Sequence, residues 1–366
     1  MTRAEEFSIK IDRMRERMKE RGWGALALSR SDNFAWAACG ASCHVNMAAE
    51  AGVASFVLLP DRCAVVTNRI ESARIRDEEL AGLDVELVEI PWADDRNAKI
   101  ARMCAGAGPI ATDMPASGFI PAGDDFSDLM MELTESELDR FRALGADAGA
   151  ALESAARALR PGMTENSAAA SLASECWTRD AQPIVILVAS GGRLPAYRHP
   201  LPTRQPLERA AMLVLCARRA GLVASATRMV SFGPAGDDLR RRHAACCRVD
   251  AAFNLLTRPG AKISSVFRDA AAVYSSEGVD REWLLHHQGG PCGYRSRYFC
   301  AGPDTPGEVK PNCAFAWNPS ITGTKSEDTI IAFDDRAEFI TRTGEWPELE
   351  VDFQGARLSR PDILEL

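Results

Sequence analysis

The stretch MLVLCARRAGLVASATR, residues 212–228, decides the fold of the domain that contains it. It predicts two β-strands that fold back at Arg219–Gly221, with apolar residues on both sides of the turn. A hairpin of this kind lies in the middle of a domain and is packed on both faces. The stretch contains no Asp, Glu or His. It is therefore either plain core or the floor of a site that has lost its charged residues.

The composition limits the class of protein before any motif is considered. With 366 residues, of which 46% are hydrophobic and 26% charged, the chain is long enough for two globular domains. The net charge of −8 argues against nucleic acid and acidic membranes as partners. No apolar run is long enough to span a bilayer, and the charged segment 1–23 predicts an amphipathic helix, not a signal peptide. The 11 cysteines have no regular spacing, which predicts a cytoplasmic protein without a disulfide framework.

The chain is expected to divide near residue 130. Residues 1–130 alternate helix and strand, which predicts a small α/β domain that ends in a Gly- and Pro-containing linker over 115–131. Residues 131–366 open with Thr134 and Glu137, whose spacing predicts a capping box at the start of a long helix. Predicted strands separated by paired helices follow, which is typical of an α+β domain with helices on one face of an antiparallel sheet.

Two histidine-bearing loops and one carboxylate are the candidates for chemistry. His199 follows a predicted buried strand, and the adjacent His286 and His287 precede a pair of glycines. Glu327 lies where another apolar strand begins. Loops at strand ends often carry functional residues, although each of these side chains could equally be a hydrogen-bonded structural residue. His243, within a basic helix, is interpreted as a surface or rim residue.

The order of these segments resembles the catalytic domain of the creatinase/prolidase/methionine-aminopeptidase superfamily, the pita-bread fold. Residues 134–335 carry the resemblance, and residues 1–130 resemble the N-terminal domain that creatinase, prolidase and aminopeptidase P share. The matching segments, in chain order, are SDNFAWAACG, LTESELDRFR, RPGMTENSAAASLA, VASGGRLPAYRHP, GLVASATR, HHQGG, an Asn-Pro pair and SEDT. The resemblance implies an α+β chain with a C-terminal pita-bread domain preceded by a smaller α/β domain of the creatinase type.

The resemblance also implies that a metal site has been lost. Metallopeptidases of this superfamily hold two divalent ions on two Asp, one His and two Glu. The two Asp positions fall on Val214 and Ser225, which the simplest hairpin register places opposite each other. The His position matches His287, the first Glu falls on Asn318, and the second matches Glu327. Because the missing ligands include both bridging carboxylates, we expect no metal and no other cofactor.

Creatinase hydrolyses a C–N bond on this fold without a metal, and the resemblance implies the same kind of histidine-based catalysis for this chain. The catalytic residues implied are His199, His287 and Glu327, since a histidine can move protons near neutral pH. Tyr294 stands where the peptidases have a second catalytic His, which disfavours their peptide-bond chemistry. Lys325 adds positive charge, which indicates an anionic group on the ligand, although such cations are often salt-bridge partners. The substrate-binding residues implied are Tyr294, Asn318, Ser225, Arg297 and Arg228.

Three functions remain open on the sequence. The first is a metal-independent, creatinase-like hydrolase of a C–N bond in a small amino-acid-like, guanidino or amide compound. The second is an inactive pita-bread protein that uses its pocket or surface for binding, as some superfamily members on chromatin do. The third is an Xaa-Pro dipeptidase or aminopeptidase that depends on metal.

The resemblance makes two further predictions about geometry and assembly. The functional atoms of His199, His287 and Glu327 should lie within about 8 Å of one another, which would allow a shared ligand or water. Val214 and Ser225 should line the same cavity. The chain is expected to form a homodimer that acts on a small molecule, with segment 31–44 of one subunit at the rim of the other subunit's pocket.

Overall fold

The computed structural model describes residues 1–123 and 127–366, so the predicted linker over 115–131 falls partly outside the described residues. The chain forms two compact units. The first contains Met1–Met130, Thr134–Glu137 and Ala220–Leu222. The second contains Met131–Leu133, Leu138–Arg219 and Val223–Leu366.

The first unit is built on a mixed sheet in the order β4-β3-β2-β1-β5-β6. β1 pairs antiparallel with β2 and parallel with β5, as expected when helices connect some of the strands. Its strands are β1 Ala25–Arg30, β2 Ala51–Leu58, β3 Cys63–Asn68, β4 Glu86–Ile90, β5 Ile110–Thr112 and β6 Ile120–Pro121. Its helices are α1 Arg3–Arg21, α2 Ser31–Ala37, α3 Ser72–Arg74 with a π-helical turn Ile75–Glu79, α4 Arg96–Met103 and α5 Ser127–Met131.

The second unit contains two four-stranded sheets, in the orders β18-β9-β8-β7 and β10-β11-β14-β15. Its helices are α6 Glu135–Arg157, α7 Glu165–Trp177, α8 Arg193–Ala196, α9 Asp237–Leu256, α10 Ile263–Ser276 and a 3₁₀ turn Glu282–Leu285. The strands of the first half are β7 Gln182–Ser190, β8 Ala210–Arg219, β9 Leu222–Ser231, β10 Gly289–Cys292 and β11 Cys313–Trp317. The remaining strands are β12 Ser320–Ile321, β13 Thr324–Lys325, β14 Asp328–Ala332, β15 Ala337–Phe339, β16 Glu348–Phe353, β17 Ala356–Pro361 and β18 Ile363–Glu365.

Local sequence signals account for several of these boundaries. The Thr134 hydroxyl accepts a hydrogen bond from the Glu137 amide, and the Glu137 carboxylate accepts one from the Thr134 amide at 2.8 Å. This confirms the capping box at the start of α6. Thr164 caps α7 by accepting from the Ser167 amide at 3.1 Å, also as predicted.

The opening hairpin is β8 and β9, which are neighbours in their sheet. Its turn places Ala220 and Gly221 at φ 49° and 79°, the left-handed conformations that a two-residue hairpin turn requires. Residues of both strands are buried, as the apolar pattern predicts. An isolated bridge between Thr227 and Glu327 joins β9 to the start of β14. This bridge places the hairpin next to the SEDT segment.

A buried ionic network lies on the other side of that junction. Arg360 bonds to Asp250 at 2.7 Å and to Asp328 at 2.8 Å, and Arg228 bonds to Asp328 at 3.0 Å and to Glu153 at 3.1 Å. The four charged groups of Arg228, Arg360, Asp250 and Asp328 are fully buried. Burial without partners would be costly for each of them, so the network is a structural unit.

His243 differs from its sequence interpretation as a surface residue. It is only 2% exposed on α9, where its ring bonds to the Thr324 hydroxyl and to the Pro361 carbonyl. The basic residues before it lie at the exposed face of the helix, while His243 lies on the buried face, as helical periodicity allows.

Among the helices of residues 1–123 and 127–366, none combines the length and apolar character needed to cross a membrane.

Candidate active site

A cavity of about 460 Å³ lies within the second unit, beside the β8–β9 hairpin. Three aliphatic side chains of β7 and β8 form one wall, namely Val185, Leu187 and Val214. The other residues that line it come from β8, from loops and from the β12–β14 segment. They are His199, Cys216, His287, Ser296, Arg297, Cys300, Asn318, Lys325 and Glu327. The structure thus brings together His199, His287 and Glu327, the three residues that the sequence singled out.

The three loop histidines form one cluster. His199 Nε2 lies 2.9 Å from His286 Nε2, within hydrogen-bond distance, and the ring centroids of His199 and His287 are 5.5 Å apart. The rings of His286 and His287 stack with centroids 4.4 Å apart. The sequence left open which of the adjacent histidines faces the pocket. His287 lines the cavity, whereas His286 is 8% exposed and supports His199.

All three imidazoles favour the neutral form. His199 is the exposed member of the cluster, but partial burial of its ring lowers its pKa below the ordinary value, and the positive charge of Lys325 lowers it further. Burial and the Arg297 charge lower the pKa of His287 to about 4. Burial, followed by the Lys325 charge, also holds the pKa of His286 far below its usual range. A neutral imidazole has one donor nitrogen and one acceptor nitrogen, so this cluster can accept a proton at neutral pH.

The second feature of the cavity is an ion pair between Arg297 and Glu327. Arg297 Nη2 donates to Glu327 Oε1 at 2.8 Å, and the Thr227 hydroxyl donates to Glu327 Oε2 at 2.7 Å. Both carboxylate oxygens therefore have a partner within the protein. Although burial opposes it, the Glu327 carboxylate raises the pKa of Arg297, which stays charged. Glu327 is thus held as a counter-ion, and this geometry does not leave it free to act as a base.

Lys325 adds a second cation to the cavity wall. Its side chain is 3% exposed, and it makes no hydrogen bond or ion pair with any residue that the structure describes. Burial lowers the pKa of Lys325, and the nearby Glu327 charge partly offsets that effect. An ammonium group at such a position is under-neutralised.

The residues present do not fit the pair of divalent ions that the resemblance implies. Val214 and Ser225 offer no anionic ligand, and Asn318 stands in place of a carboxylate. Glu327 is occupied by the guanidinium of Arg297. His199, His286 and His287 offer nitrogen atoms that lie within 4.8 Å of one another and could hold a single transition ion. The Lys325 and Arg297 charges that act on these rings oppose a cation there.

Three predicted substrate-binding residues, Arg228, Tyr294 and Ser225, do not line the cavity. Arg228 is 1% exposed and is enclosed in the buried ionic network with Glu153 and Asp328, so its prediction as a cavity residue is wrong. Along β9, side chains alternate between faces, and Arg228 lies on the face opposite Thr227. Tyr294 is 2% exposed and is not among the residues that line the cavity.

The prediction that Ser225 lines the cavity with Val214 is wrong for Ser225, which is fully buried behind the cavity wall. Its hydroxyl donates to Cys216 Sγ at 3.3 Å and accepts from Arg297 Nη1 at 3.3 Å. The Thr329 hydroxyl closes the arrangement, since it accepts from the Ser225 amide at 2.8 Å. Ser225 therefore orients Arg297 from a position that is itself fully buried.

Sequence reasoning missed the role of His286 and the isolation of Lys325. A signal for Lys325 was present, because the residue directly precedes the SEDT segment, where an apolar strand is predicted to begin. No comparable signal existed for His286. Its contact with His199 depends on a loop fold that brings together residues 87 positions apart.

Two sequence comparisons identify relatives of the chain. The profile of metallopeptidase family M24 matches residues 139–357, more than half of the chain. A curated relative, the probable dipeptidase PepE of Mycobacterium tuberculosis, is 26% identical over 300 residues, which cover 75% of this chain and 79% of the relative.

Solved structures share the fold over nearly the whole chain. The Xaa-Pro dipeptidase from Bacillus anthracis superposes with a TM-score of 0.78 at 18% sequence identity. The match covers 92% of this chain and 98% of the dipeptidase chain. The prolidase from Pyrococcus horikoshii has a TM-score of 0.79 at 15% identity, with 91% and 98% covered. These structures confirm the predicted pita-bread architecture with its α/β domain ahead of it.

Proposed function

The chain belongs to metallopeptidase family M24, a family of hydrolases that act on C–N bonds, and we propose that it hydrolyses the amide bond of a small amino-acid-like compound without the family's two metal ions. The observation that carries this proposal is the composition of the cavity. Where the resemblance places two dications and their carboxylates, this chain has an Arg297–Glu327 ion pair and a cluster of neutral histidines. Such a site offers proton transfer by histidine.

His199 is proposed as the general base. In the tautomer with the proton on its Nε2, His199 donates to His286 Nε2, and its Nδ1 keeps a free lone pair. That Nδ1 takes a proton from water as the water oxygen attacks the amide carbon and the C=O electrons move to oxygen. The C–N bond then breaks while His199 returns the proton to the leaving nitrogen. The products are a carboxylic acid and an amine, so atoms and charge balance.

The other cavity residues would bind and polarise the amide. His287 and the Asn318 carboxamide line the same cavity, and both offer neutral N–H donors for the amide oxygen. Donors that are fixed before the reaction stabilise the charge that develops on that oxygen. The aliphatic wall of Val185, Leu187 and Val214 gives the substrate's apolar part a place to lie.

The relatives favour a dipeptide as substrate, since the curated relative and the Bacillus anthracis structure both carry dipeptidase names. A dipeptide is itself a small amide with a carboxylate, so it fits the proposed chemistry. The metal-dependent form of this activity is the second candidate. It is supported by family membership and by the three converging histidines, and opposed by the loss of the bridging carboxylates. A binding protein without activity remains the third reading.

The test is a turnover screen with chelator-dialysed protein. The panel contains Xaa-Pro and other dipeptides, N-acyl amino acids and guanidino acids, with products identified by mass spectrometry. We expect metal-free turnover of at least one class and a loss of about 100-fold or more in His199→Ala. Tyr197→Phe is the matched control, because Tyr197 is exposed in the same loop and outside the cavity. Turnover that needs added Mn²⁺ or Co²⁺ and survives His199→Ala would favour the metallopeptidase instead. Absence of any turnover would favour the binding protein.

A further inference from the structure

Lys325 is a charged residue of the cavity wall that the proposed chemistry does not use. It lies on β13, is 3% exposed, and contributes to the cavity wall together with Arg297 and Glu327. No acceptor among the described residues bonds to its ammonium group. Buried lysines without a partner are rare, because the charge loses its hydration and gains nothing in exchange.

The neighbouring carboxylate does not remove this imbalance. Glu327 is close enough to act on Lys325 electrostatically, but its two oxygens bond to Arg297 and Thr227. With one carboxylate and two cations, and with neutral histidines beside them, the cavity carries an excess of positive charge. An anion from outside the protein is the group that would balance it.

The rest of the cavity indicates what kind of anion fits. Aliphatic side chains form one wall, so the anion belongs to a molecule with an apolar part and is not a fully hydrated ion. The space of about 460 Å³ admits a small molecule with a single chain or ring next to its charge. His199 and His287 lie on the same cavity, so the reacting bond would be held within reach of a ligand anchored at Lys325.

We propose that Lys325 binds the carboxylate of the ligand, which makes the substrate class small monocarboxylates with an apolar group and an amide bond. This inference rests on the proposed function for the amide and on the cavity alone for the carboxylate. Lys325 acts here as a binding residue. Arg297 supports it by holding Glu327, the carboxylate that lines the cavity among the described residues, in an ion pair, so that Glu327 does not take the place of the ligand.

The experiment measures binding without requiring turnover. The probes are N-acetyl-L-valine and N-acetyl-L-proline, each compared with its uncharged C-terminal amide, and inorganic phosphate, titrated calorimetrically into chelator-dialysed protein. We expect each acid to bind the wild type at least about 10-fold more tightly than its amide, since a charge-assisted bond in a partly dry site is worth about one such factor or more. Phosphate, which lacks an apolar part, should bind more weakly than the acids.

Variants assign the preference to one residue. Lys325→Met keeps the length and removes the charge, so acid and amide should bind equally. Lys325→Arg should keep a preference for the acid. Lys310→Met is the matched control, because Lys310 is an exposed lysine outside the cavity, and its preference should equal that of the wild type. If Lys325→Met fails to fold, the wild-type comparison of acid with amide and the Arg variant still decide the question.

Three results of the titrations would overturn the proposal. They are equal binding of acid and amide to the wild type, a preference that persists in folded Lys325→Met, and binding of phosphate in place of every acid. Stoichiometric Zn²⁺ that is lost in His286→Ala would also overturn it, because a resident dication would then be the anion-binding group. Acid-selective binding without turnover would leave the inference standing while the proposed hydrolysis fails.

Discussion

Replacement of Arg297 by methionine tests whether an ion pair now stands where the resemblance places metal. The change leaves Glu327, 2% exposed, with its hydrogen bond from Thr227 and without its guanidinium partner. Removing one member of a buried ion pair typically costs about 3–5 kcal/mol, because the remaining charge is stranded. The cavity beside it admits water, which hydrates part of that charge. We therefore expect a loss at the lower end of that range, about 3 kcal/mol of unfolding free energy.

The assay is a double-mutant cycle read by thermal unfolding. A loss of about 3 kcal/mol corresponds to a fall in Tm of roughly 6–12 °C for a unit of this size. Because the chain has two units, the transition of the second unit must be followed separately, for example by limited proteolysis during heating. Arg297→Met with Glu327→Gln removes both charges, so the double variant should recover most of the loss.

The reasoning fails if Arg297→Met lowers the free energy of unfolding by less than about 1 kcal/mol, which is the range of an exposed pair. It also fails if the double variant is as unstable as the single one. In that case the packing of the arginine side chain, and not its charge, stabilises the site. Asp61 and Arg62 supply the exposed comparison, since both side chains of that pair are about half exposed or more, and Arg62→Met should change stability little.

Four further predictions concern the ionic network, the proposed base, the metal content and the assembly. Arg360→Met strands the buried Asp250 and Asp328 carboxylates and should cost about 3–5 kcal/mol in urea unfolding; a loss under 1 kcal/mol would contradict the network. Burial lowers the pKa of His199 from 6.5, so its base form survives further into acid, and the acid limb of kcat/KM against pH should lie below 6.5; a limb above that value would exclude His199 as the base. Elemental analysis should find well under one equivalent of Mn, Co, Fe or Zn per chain, with no effect of chelator on Tm, whereas two tightly held ions would restore the metallopeptidase. Light scattering at micromolar concentration should give the mass of a homodimer, and a monomer mass would refute the assembly.

Several elements of the fold could be predicted because their signals are local. The Thr134 and Glu137 capping box, the Thr164 cap and the turn at Gly221 each depend on residues that are close in sequence. The hairpin follows from an apolar run interrupted by a turn. The resemblance then predicts that Val214 lies at the cavity, and in the structure Val214 is part of the cavity wall.

The errors have a common physical origin in the alternation of side chains along strands. Ser225 and Thr227 lie on the face of β9 that is directed toward Glu327, so Arg228 is directed away from it. Adjacent Glu327 and Asp328 separate in the same way, one toward the cavity and one into the ionic network. A count of charges near a motif ignores this alternation, which is why Arg228 was assigned to the ligand.

Contacts between distant loops were beyond the sequence for a different reason. The hydrogen bond between His199 and His286 depends on the path of two loops, neither of which contains a periodic pattern. The π-helical turn Ile75–Glu79 is a similar case, because apolar spacing does not distinguish a π-helical turn from an α-helical one. Sequence patterns determine which face is buried but not how a loop or a helical turn is closed.

Charge balance explains how one fold could lose a site for metal ions and acquire a site for an organic anion. Two dications held by four carboxylates are close to neutral as a group, and a buried group must stay close to neutral to be stable. Removing the ions and three of the carboxylates leaves Glu327 alone, and the Arg297 guanidinium then neutralises that single charge. Lys325 then adds one positive charge that no carboxylate among the described residues neutralises. None of these residues makes a contact with its ammonium group that would stabilise the fold. A charge that the fold does not need and that burial disfavours is retained where a ligand supplies its counter-ion, and a monocarboxylate supplies one negative charge.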